Sequence, residues 1–312
     1  MRGPPADRSL IELLSFGVVN LDKAPGPSAH QVAGWIRDAA ADTAGALADD
    51  RPGDDRGGDD VGETVVDRAA HAGTLDPKVT GCLPVMLGDA TRLAPVFLEG
   101  QKEYVAALEL HGPPPTDLDA ILAEFEGEIY QKPPRKSAVS RRLRTRTIHN
   151  LDVLDRQGRQ VLLRIGCASG TYVRKLCHDL GLAAGTGGHM GDLRRTATDP
   201  FDDRDLVTMD AFVDALAFAR EGDPSWLREV LDPAERALTD LPALTIAESA
   251  ASEVAHGAPV YAPGVLEADE TAGADDLVAC FTPDGAAVCL GRLVGDPTAD
   301  EGEAVDLARV LV

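Results

Sequence analysis

The stretch His71-Ala-Gly-Thr-Leu-Asp-Pro-Lys-Val-Thr-Gly81 places a single carboxylate in a tightly constrained loop. Gly73 can adopt backbone angles that are closed to other residues, while Pro77 offers no N–H group and pushes the residue before it toward extended angles. The sequence therefore predicts that Asp76 is presented at a bend and not on the solvated face of a helix. An Asp-Pro pair alone is an ordinary turn signal, so a functional interpretation rests on the whole run.

This run resembles the signature loop of the TruB-type pseudouridine synthases, and is closest to their archaeal, dyskerin-like branch, in which Lys follows the Asp-Pro pair. The resemblance implies an α+β fold, with a pseudouridine synthase core around a mixed β-sheet and a small β pseudo-barrel, the PUA domain, after it. It also implies that Asp76 is the catalytic nucleophile, attacking either the ribose anomeric carbon or the base. His71, in the same run, is expected to contact the substrate.

Three further family motifs supply side chains that the resemblance places beside Asp76. Tyr104, in a Lys-x-Tyr context, corresponds to the tyrosine that stacks on the target uracil, although an aromatic residue in a strand is more often part of a core. In the Gly-Thr-Tyr-x-Arg motif, Tyr172 would lie under the target nucleotide and Arg174 would pair with the catalytic aspartate. Leu193, in a Leu-Arg-Arg motif, would line the pocket.

Arg174 also stands out on local grounds. It falls in the first turn of a predicted helix, where a cation opposes the helix dipole, and a local rule broken without local gain often marks a functional residue. A nucleophilic carboxylate must be ionised in a water-poor pocket, and a nearby arginine favours that state. The sequence thus predicts a buried Asp76–Arg174 ion pair, whose disruption would cost ~3–5 kcal/mol.

Charge divides the chain into two unlike parts. Asp and Glu number 52 against 30 Lys and Arg, a balance that would repel nucleic acid in dilute buffer and that resembles proteins of salt-saturated cytoplasm. Residues 129–178 are the exception, with 12 basic residues and two acids. A charge run is usually a solvated face, but this contrast favours a phosphate-facing surface. Its predicted RNA-binding residues are Lys132, Arg135, Lys136, Arg141, Arg142 and Arg144.

The element pattern predicts two domains. Residues 1–238 would form the catalytic domain, interrupted by an acidic, disordered insertion over 42–63. Residues 240–312 would form a small β domain, marked by a hairpin around the turn at 282–285, and the resemblance identifies it as the PUA domain. Within the first domain, a helix after Ser28 would bury Val32, Trp35, Ile36 and Ala39, and Asp22-Lys23 would brace the catalytic loop.

Several classes of protein and site are disfavoured. The five cysteines form no C-x-x-C pair, which argues against zinc and against a disulfide framework, and the glycines at 185–191 miss the G-x-G-x-x-G spacing. We therefore expect no metal and no cofactor. With neither a signal peptide nor a run of ~18 apolar residues, a cytoplasmic protein is expected. The rival interpretations are a methyltransferase with a PUA tail and an RNA-binding scaffold of the same fold that has lost activity.

The resemblance finally implies the substrates and partners. The enzyme would convert uridine to pseudouridine in the T-loop of tRNA, in rRNA as the catalytic subunit of a box H/ACA guide ribonucleoprotein, or in both. Its partners would then be tRNA, guide RNA, rRNA and the small proteins of that particle. A PUA domain suits either role and does not discriminate between them.

Overall fold

Two mixed β-sheets organise the computed structural model, which describes residues 2–49, 66–133 and 140–312. Within these residues the first sheet has ten strands: β1 (Gly17–Lys23), β2 (Ala69–His71), β3 (Thr80–Leu87), β4 (Lys102–Leu110), β5 (Gly127–Gln131), β6 (Arg144–Gln157), β7 (Gln160–Cys167), β8 (Gly188–Thr198), β9 (Phe201–Asp202) and β10 (Asp232–Pro233). The second has six: β11 (Ala243–Ile246), β12 (Val260–Tyr261), β13 (Val265–Ala268), β14 (Leu277–Phe281), β15 (Ala287–Leu293) and β16 (Glu303–Val310).

Helices cover these sheets and connect their strands. In the described part of the chain they are α1 (Leu10–Ser15), α2 (Ala29–Asp49), α3 (Ala94–Glu99), α4 (Leu118–Ala123), α5 (Val173–Ala183), α6 (Met209–Arg220), α7 (Ser225–Val230) and α8 (Glu248–Ala255). None of the described helices is both long enough and apolar enough to cross a membrane. The predicted fold class, an α+β core with a mixed sheet followed by a small, barrel-like β domain, is confirmed.

The centre of the first sheet determines where the loop of Asp76 lies. The strand order is β10-β1-β3-β8-β4-β7-β6-β5, with β2 added beside β3 and β9 beside β8. Strands β3 and β8 run parallel, whereas β4 runs antiparallel to β8. The loop between β2 and β3, residues 72–79, therefore lies at the end of the sheet where these central strands meet.

Helix α2 corrects two predictions. It begins after Ser28, whose hydroxyl accepts from the Gln31 amide at 3.2 Å, but it extends to Asp49, so residues 42–49 of the predicted disordered insertion are helical. Alanine is the best helix former, and residues 42–49 are rich in it. Ala40 and Ala44 of α2 are buried against the core, which holds this part of the helix in place. Residues 50–63, the rest of that insertion, lie outside the described residues.

Trp35 is the second correction on this helix. The sequence predicted it on the buried face, but its side chain is 52% exposed. The buried positions, Ala29, Val32, Ala33, Ile36, Ala40 and Ala44, define a stripe of small and branched side chains, and Trp35 lies beside it. Val32 and Ile36 are buried as predicted and Ala39 is half-buried, so the predicted face was wrong only at its edge, where Trp35 lies.

The two sheets share a hydrophobic core. One cluster contains Phe16, Val18 and Met86 from the first sheet region together with Leu277 and Leu290 of the second. Arg92 adds a hydrogen bond of 3.0 Å from Nη1 to the Val310 carbonyl oxygen. The predicted boundary at 238–240 precedes the start of β11, and, because apolar contacts cross it, the division into two domains stays a prediction. The predicted hairpin is present as β14 and β15.

Candidate active site

The loop of Asp76 is built around two glycines with left-handed backbone angles. Gly73 has φ +92° and Gly81 has φ +97°, a region that side chains rarely tolerate. A Cβ atom on Gly81 would lie 2.2 Å from the Arg195 carbonyl oxygen, so only glycine fits there. Within the loop, the Val79 amide donates to the Asp76 carbonyl oxygen at 2.9 Å. These constraints present the Asp76 side chain outward at a bend.

Asp76 and Arg174 form an ion pair. The Nη2 atom of Arg174, in the first turn of α5, donates to Oδ2 of Asp76. The structure thus joins two residues 98 positions apart in the sequence, as predicted. The predicted burial of the pair is wrong, because the Asp76 and Arg174 side chains are 52% and 58% exposed. Both groups are open to an incoming ligand.

Tyr104 and Leu193 lie on adjacent strands behind this pair. Both are half-buried, and each packs against two hydrophobic clusters, one around β1 and β3 and one around β7 and α5. Burial raises the pKa of the Tyr104 hydroxyl, and the Arg195 charge partly opposes that shift. Tyr104 is therefore a neutral aromatic side chain at neutral pH.

Tyr172 is held in place through its backbone. Its amide donates to the Gln131 side-chain oxygen at 2.9 Å, and its carbonyl accepts from the Gln131 side-chain nitrogen at 3.2 Å. Gln131 ends β5 and is itself buried, so the start of α5, with Arg174, is tied to the neighbouring strand. The contact fixes the position from which Arg174 reaches Asp76.

His71 ends β2, directly before the loop of Asp76. Burial, followed by the charge of Arg195 and that of His30, lowers the pKa of His71, so the imidazole is neutral at pH 7. Its Nδ1 atom is buried and has no hydrogen-bond partner within the described ranges. The site residue predicted from sequence is thus next to the loop, with a free polar atom.

Buried cations support the loop from behind. The Lys23 ammonium group donates to the carbonyl oxygens of Pro77, at 3.2 Å, and Val79, at 2.9 Å. Asp22 accepts two bonds from Arg194, at 3.0 and 3.2 Å. The prediction that Asp22-Lys23 braces the loop agrees with these contacts. Arg195 is a further buried cation, which donates to the carbonyl oxygens of Cys82 and Gly73. The sequence did not predict these contacts. The one available signal was that Arg195 is two positions beyond Leu193, because alternation along a strand puts both side chains on one face.

The predicted RNA-binding cations lie beyond Gln131 on one connected stretch. Lys132, Arg141 and Arg142 are exposed and Arg144 is half-buried, whereas Arg135 and Lys136 lie outside the described residues. Within the described residues, Arg141 donates to the Pro133 carbonyl oxygen and Arg144 to that of Ser140. No described carboxylate forms an ion pair with these four side chains, unlike Arg156, Arg174 and Arg194 elsewhere on the surface.

Four family models match the chain and together cover most of it. Residues 63–116 and 113–173 match the N-terminal domain of the TruB family pseudouridylate synthases, and residues 174–239 match the tRNA pseudouridylate synthase B C-terminal domain. Residues 242–311 match the PUA domain and residues 3–33 the DKCLD (NUC011) domain.

Full-length relatives agree with these matches. The probable tRNA pseudouridine synthase B of Haloarcula marismortui is 61% identical over 318 residues, which cover 100% of this chain and 94% of the relative. That of Pyrococcus abyssi is 41% identical over 318 residues, covering 99% and 88%. Among solved structures, a Cbf5-Nop10-Gar1 complex matches with TM-score 0.87 and 39% identity, covering 100% of this chain and 89% of the other.

A second solved structure, of an H/ACA RNP bound to a substrate RNA containing 2′-deoxyuridine, matches with TM-score 0.84 and 38% identity over 99% of this chain and 89% of that one. These matches show that the chain is a pseudouridine synthase, an isomerase, with a PUA domain after its catalytic region. The chain belongs to the TruB family, in the archaeal, Cbf5-like branch. The family resemblance drawn from the motifs is confirmed.

Proposed function

We propose that this chain isomerises uridine in both tRNA and rRNA, with Asp76 as the nucleophile. The observation that carries the proposal is the ion pair between Asp76 and Arg174, which joins the loop before β3 to the first turn of α5. The side chains of the pair are more than half exposed, so a nucleotide can reach the carboxylate directly. The acidic composition, typical of salt-rich cytoplasm, supports a cytoplasmic location.

The proposed reaction requires a nucleophile and a binding site for the uridine, and no redox step or group donor. The glycosidic C–N bond breaks, the uracil turns, and a C–C bond forms, while one carbon loses a proton and the freed nitrogen gains one. No electron or group donor enters this balance. Asp76 attacks the ribose or the base, and Arg174, its ion-pair partner, orients the carboxylate for that step.

The target uridine must leave its stack to reach Asp76. Tyr104 offers an aromatic face on which the extruded uracil packs, which is worth ~1–3 kcal/mol per base. Leu193 lines the same pocket, His71 contacts the RNA beside the loop, and Tyr172 lies under the target nucleotide. These roles are proposed from the placement of the four side chains around the ion pair.

RNA binding is assigned to the cations beyond β5. Lys132, Arg141, Arg142 and Arg144 have no carboxylate partners in the described part of the chain, so phosphates can bind there without displacing an ion pair. Arg135 and Lys136 belong to the same run and are included in the proposal. Phosphate contacts carry no sequence information, so RNA shape or pairing to a guide must choose the uridine.

Two lines of support point to two substrates. The relatives are named probable tRNA pseudouridine synthase B, and the solved structures are a Cbf5-Nop10-Gar1 complex and an H/ACA RNP bound to a substrate RNA. We propose that the tRNA activity belongs to the protein alone, and that the rRNA activity requires guide RNA and small protein partners. Residues 1–238 would form the catalytic domain and residues 240–312 the RNA-binding PUA domain.

The test incubates the purified protein, in high salt, with unmodified tRNA and separately with rRNA fragments, and then repeats both with guide RNA and partner proteins. We expect pseudouridine in tRNA without a guide, and in rRNA only with guide and partners. If neither RNA is modified until guide and partners are present, the stand-alone activity is wrong.

The alternative, an inactive scaffold, is tested in the same assay. It predicts RNA binding with no pseudouridine under any condition. Asp76→Asn supplies the reference for an inactive site. Asp119→Asn, which removes another exposed carboxylate paired with an arginine, supplies the control for a general effect of charge. Wild-type activity that equals that of Asp76→Asn would favour the scaffold.

A further inference from the structure

Arg195 lies where three central strands meet. In the backbone register it is opposite Gly81 on the parallel strand β3 and opposite Tyr104 on the antiparallel strand β4. Its side chain is among the largest that are fully buried, with 1% of the residue exposed. One residue thus borders both the end of the Asp76 loop and the aromatic side chain assigned to the target base.

The guanidinium group binds the loop backbone from the strand position opposite Tyr104. Its Nε donates to the Cys82 carbonyl oxygen at 2.7 Å, and its Nη1 and Nη2 donate to the Gly73 carbonyl oxygen at 3.4 and 3.3 Å. Its charge also lowers the pKa of the Tyr104 hydroxyl against the effect of burial. Arg195 therefore links the loop backbone to the strand position that faces Tyr104.

The loop leaves room for this fork. A Cβ atom on Gly73 would lie 3.3 Å from Nη1 of Arg195, so a side chain there would press on the guanidinium. A lysine in place of Arg195 would keep the charge but would lose the fixed, multi-donor geometry that reaches several acceptors at once. The arrangement depends on arginine at one position and on glycine at the other.

We propose that Arg195 is a positioning residue that fixes the loop of Asp76 relative to Tyr104. The proposal rests on the proposed function, in which Asp76 is the nucleophile and Tyr104 stacks on the target uracil. Arg195 does not touch the substrate in this account; it sets the distance between the attacking carboxylate and the stacked uracil. A misplacement of about 1 Å at a reacting centre slows chemistry about 100-fold.

A buried arginine could instead serve stability alone, and the chain offers a matched control. Arg8 is 2% exposed and donates to both oxygens of Glu235 and to the Gly3 carbonyl oxygen, away from the Asp76 loop. Replacing it also removes a buried guanidinium with several partners. Arg8→Met and Arg8→Lys therefore report what the loss of a buried arginine does to folding by itself.

The experiment compares Arg195→Met and Arg195→Lys with the two Arg8 variants in high salt, after thermal unfolding has shown which are folded. One readout is the single-turnover rate against RNA affinity. The other is the titration of Tyr104, followed by ¹⁹F NMR of fluorotyrosine-labelled protein and assigned with Tyr104→Phe. We expect Arg195→Met to lower the single-turnover rate about 100-fold with affinity within about three-fold, and Arg195→Lys to recover part of the rate.

The Tyr104 titration is the readout that a merely structural role would not change. Removing the Arg195 charge should raise the pKa of Tyr104 further, whereas neither Arg8 variant should move it. This measurement needs no turnover, so it tests the coupling even if the wild-type protein modifies no RNA and the proposed function fails.

Two outcomes would overturn the proposal. One is an Arg195→Met protein that is folded, reacts at the wild-type rate and leaves the titration of Tyr104 unchanged. If only Arg195→Lys folds, its single-turnover rate and its Tyr104 titration decide in the same way. The other is that neither Arg195 variant folds under conditions in which Arg8→Met does. Arg195 would then be required for the core and not for positioning.

Discussion

The cations of this site fall into two groups that differ in what they bind. Arg174 is more than half exposed and pairs with a carboxylate, Asp76. Lys23, Lys102 and Arg195 are almost fully buried, and their hydrogen bonds go to backbone carbonyl oxygens. The exposed cation pairs with the carboxylate proposed as the nucleophile, whereas the buried cations bind backbone carbonyl groups.

Physical chemistry explains the division. An exposed ion pair contributes at most about 1 kcal/mol to stability, so its partners can separate when a ligand arrives. A buried cation has lost its hydration and is tolerated only where several dipoles replace the water. Substitutions should therefore separate the two groups, with loss of activity at the exposed pair and loss of stability at the buried cations.

The largest effect is expected at the nucleophile. Asp76→Asn should abolish turnover while leaving RNA affinity within a few-fold, because phosphate contacts come from the basic surface and not from this loop. Thermal stability should stay close to wild type, since the pair is exposed. Single-turnover assays with a filter-binding measurement check both. Pseudouridine formation near the wild-type rate would remove Asp76 from the mechanism.

Arg174→Ala comes next. Loss of the ion-pair partner of Asp76 should slow chemistry about 100- to 1,000-fold, a usual range for one electrostatic partner of a reacting group. Its cost in stability should be at most about 1 kcal/mol, well below the value predicted for a buried pair. The free energy of unfolding and the single-turnover rate are measured side by side.

Arg156→Ala is the matched control for that variant, because Arg156 also pairs with an exposed carboxylate, that of Asp119. Both substitutions remove one surface ion pair and one positive charge. Only Arg174→Ala should lose activity. Equal rates for the two variants would mean that the Asp76–Arg174 contact has no part in the reaction.

The two groups also differ in how far the sequence predicts them. Asp76, Tyr104 and Arg174 belong to short motifs that resemble those of the family, so roles could be predicted for them from that resemblance before any contact was known. For Lys23 the sequence predicted that it braces the loop, but not which groups accept its hydrogen bonds. The partners of Arg195 are carbonyl groups on other segments of the chain, and no local pattern encodes them. A buried lysine or arginine looks in sequence like any surface cation.

Composition misled the prediction for α2 in a related way. The acids at Asp42 and Asp49 suggested a solvating loop, but the alanines between them form helix readily and fit against the core. Net charge describes how a segment interacts with water, whereas the apolar face that packs determines whether it folds. The apolar face of α2 is visible in the sequence as the spacing of four residues between Ala40 and Ala44, which continues the spacing from Ile36.

Lys23→Met tests the buried group. The substitution strands the carbonyl oxygens of Pro77 and Val79, and a buried unsatisfied acceptor costs about 1–3 kcal/mol. Because these carbonyls flank the Asp76 loop, activity should fall as well, but less than in Arg174→Ala. Chemical unfolding in high salt gives the first quantity. A variant as stable as wild type would show that the loop does not depend on this cation.

The smallest effect is a pH dependence at Lys102. Its ammonium group donates to the carbonyl oxygens of Phe97 and Gly100, at 3.0 and 3.1 Å, and only 4% of the residue is exposed. Burial lowers the pKa of Lys102 from 10.5 to about 8, and the charge of Arg195 acts in the same direction. Between these two values the unfolded chain holds a proton that the folded protein has lost.

Stability should therefore rise with pH across that window, because the unfolded state binds more protons there. Below pH 8 the full penalty of the buried charge is present, and it is relieved as pH rises toward 10.5. The expected gain is about 1 kcal/mol between pH 8 and pH 9. Lys102→Met cannot titrate at this position and is the reference. As pH rises from 8 to 9, the unfolding free energy of wild type should increase relative to that of Lys102→Met. A difference that stays constant from pH 7 to pH 9.5 would show that Lys102 titrates as an ordinary lysine, despite its burial at the start of the strand that carries Tyr104.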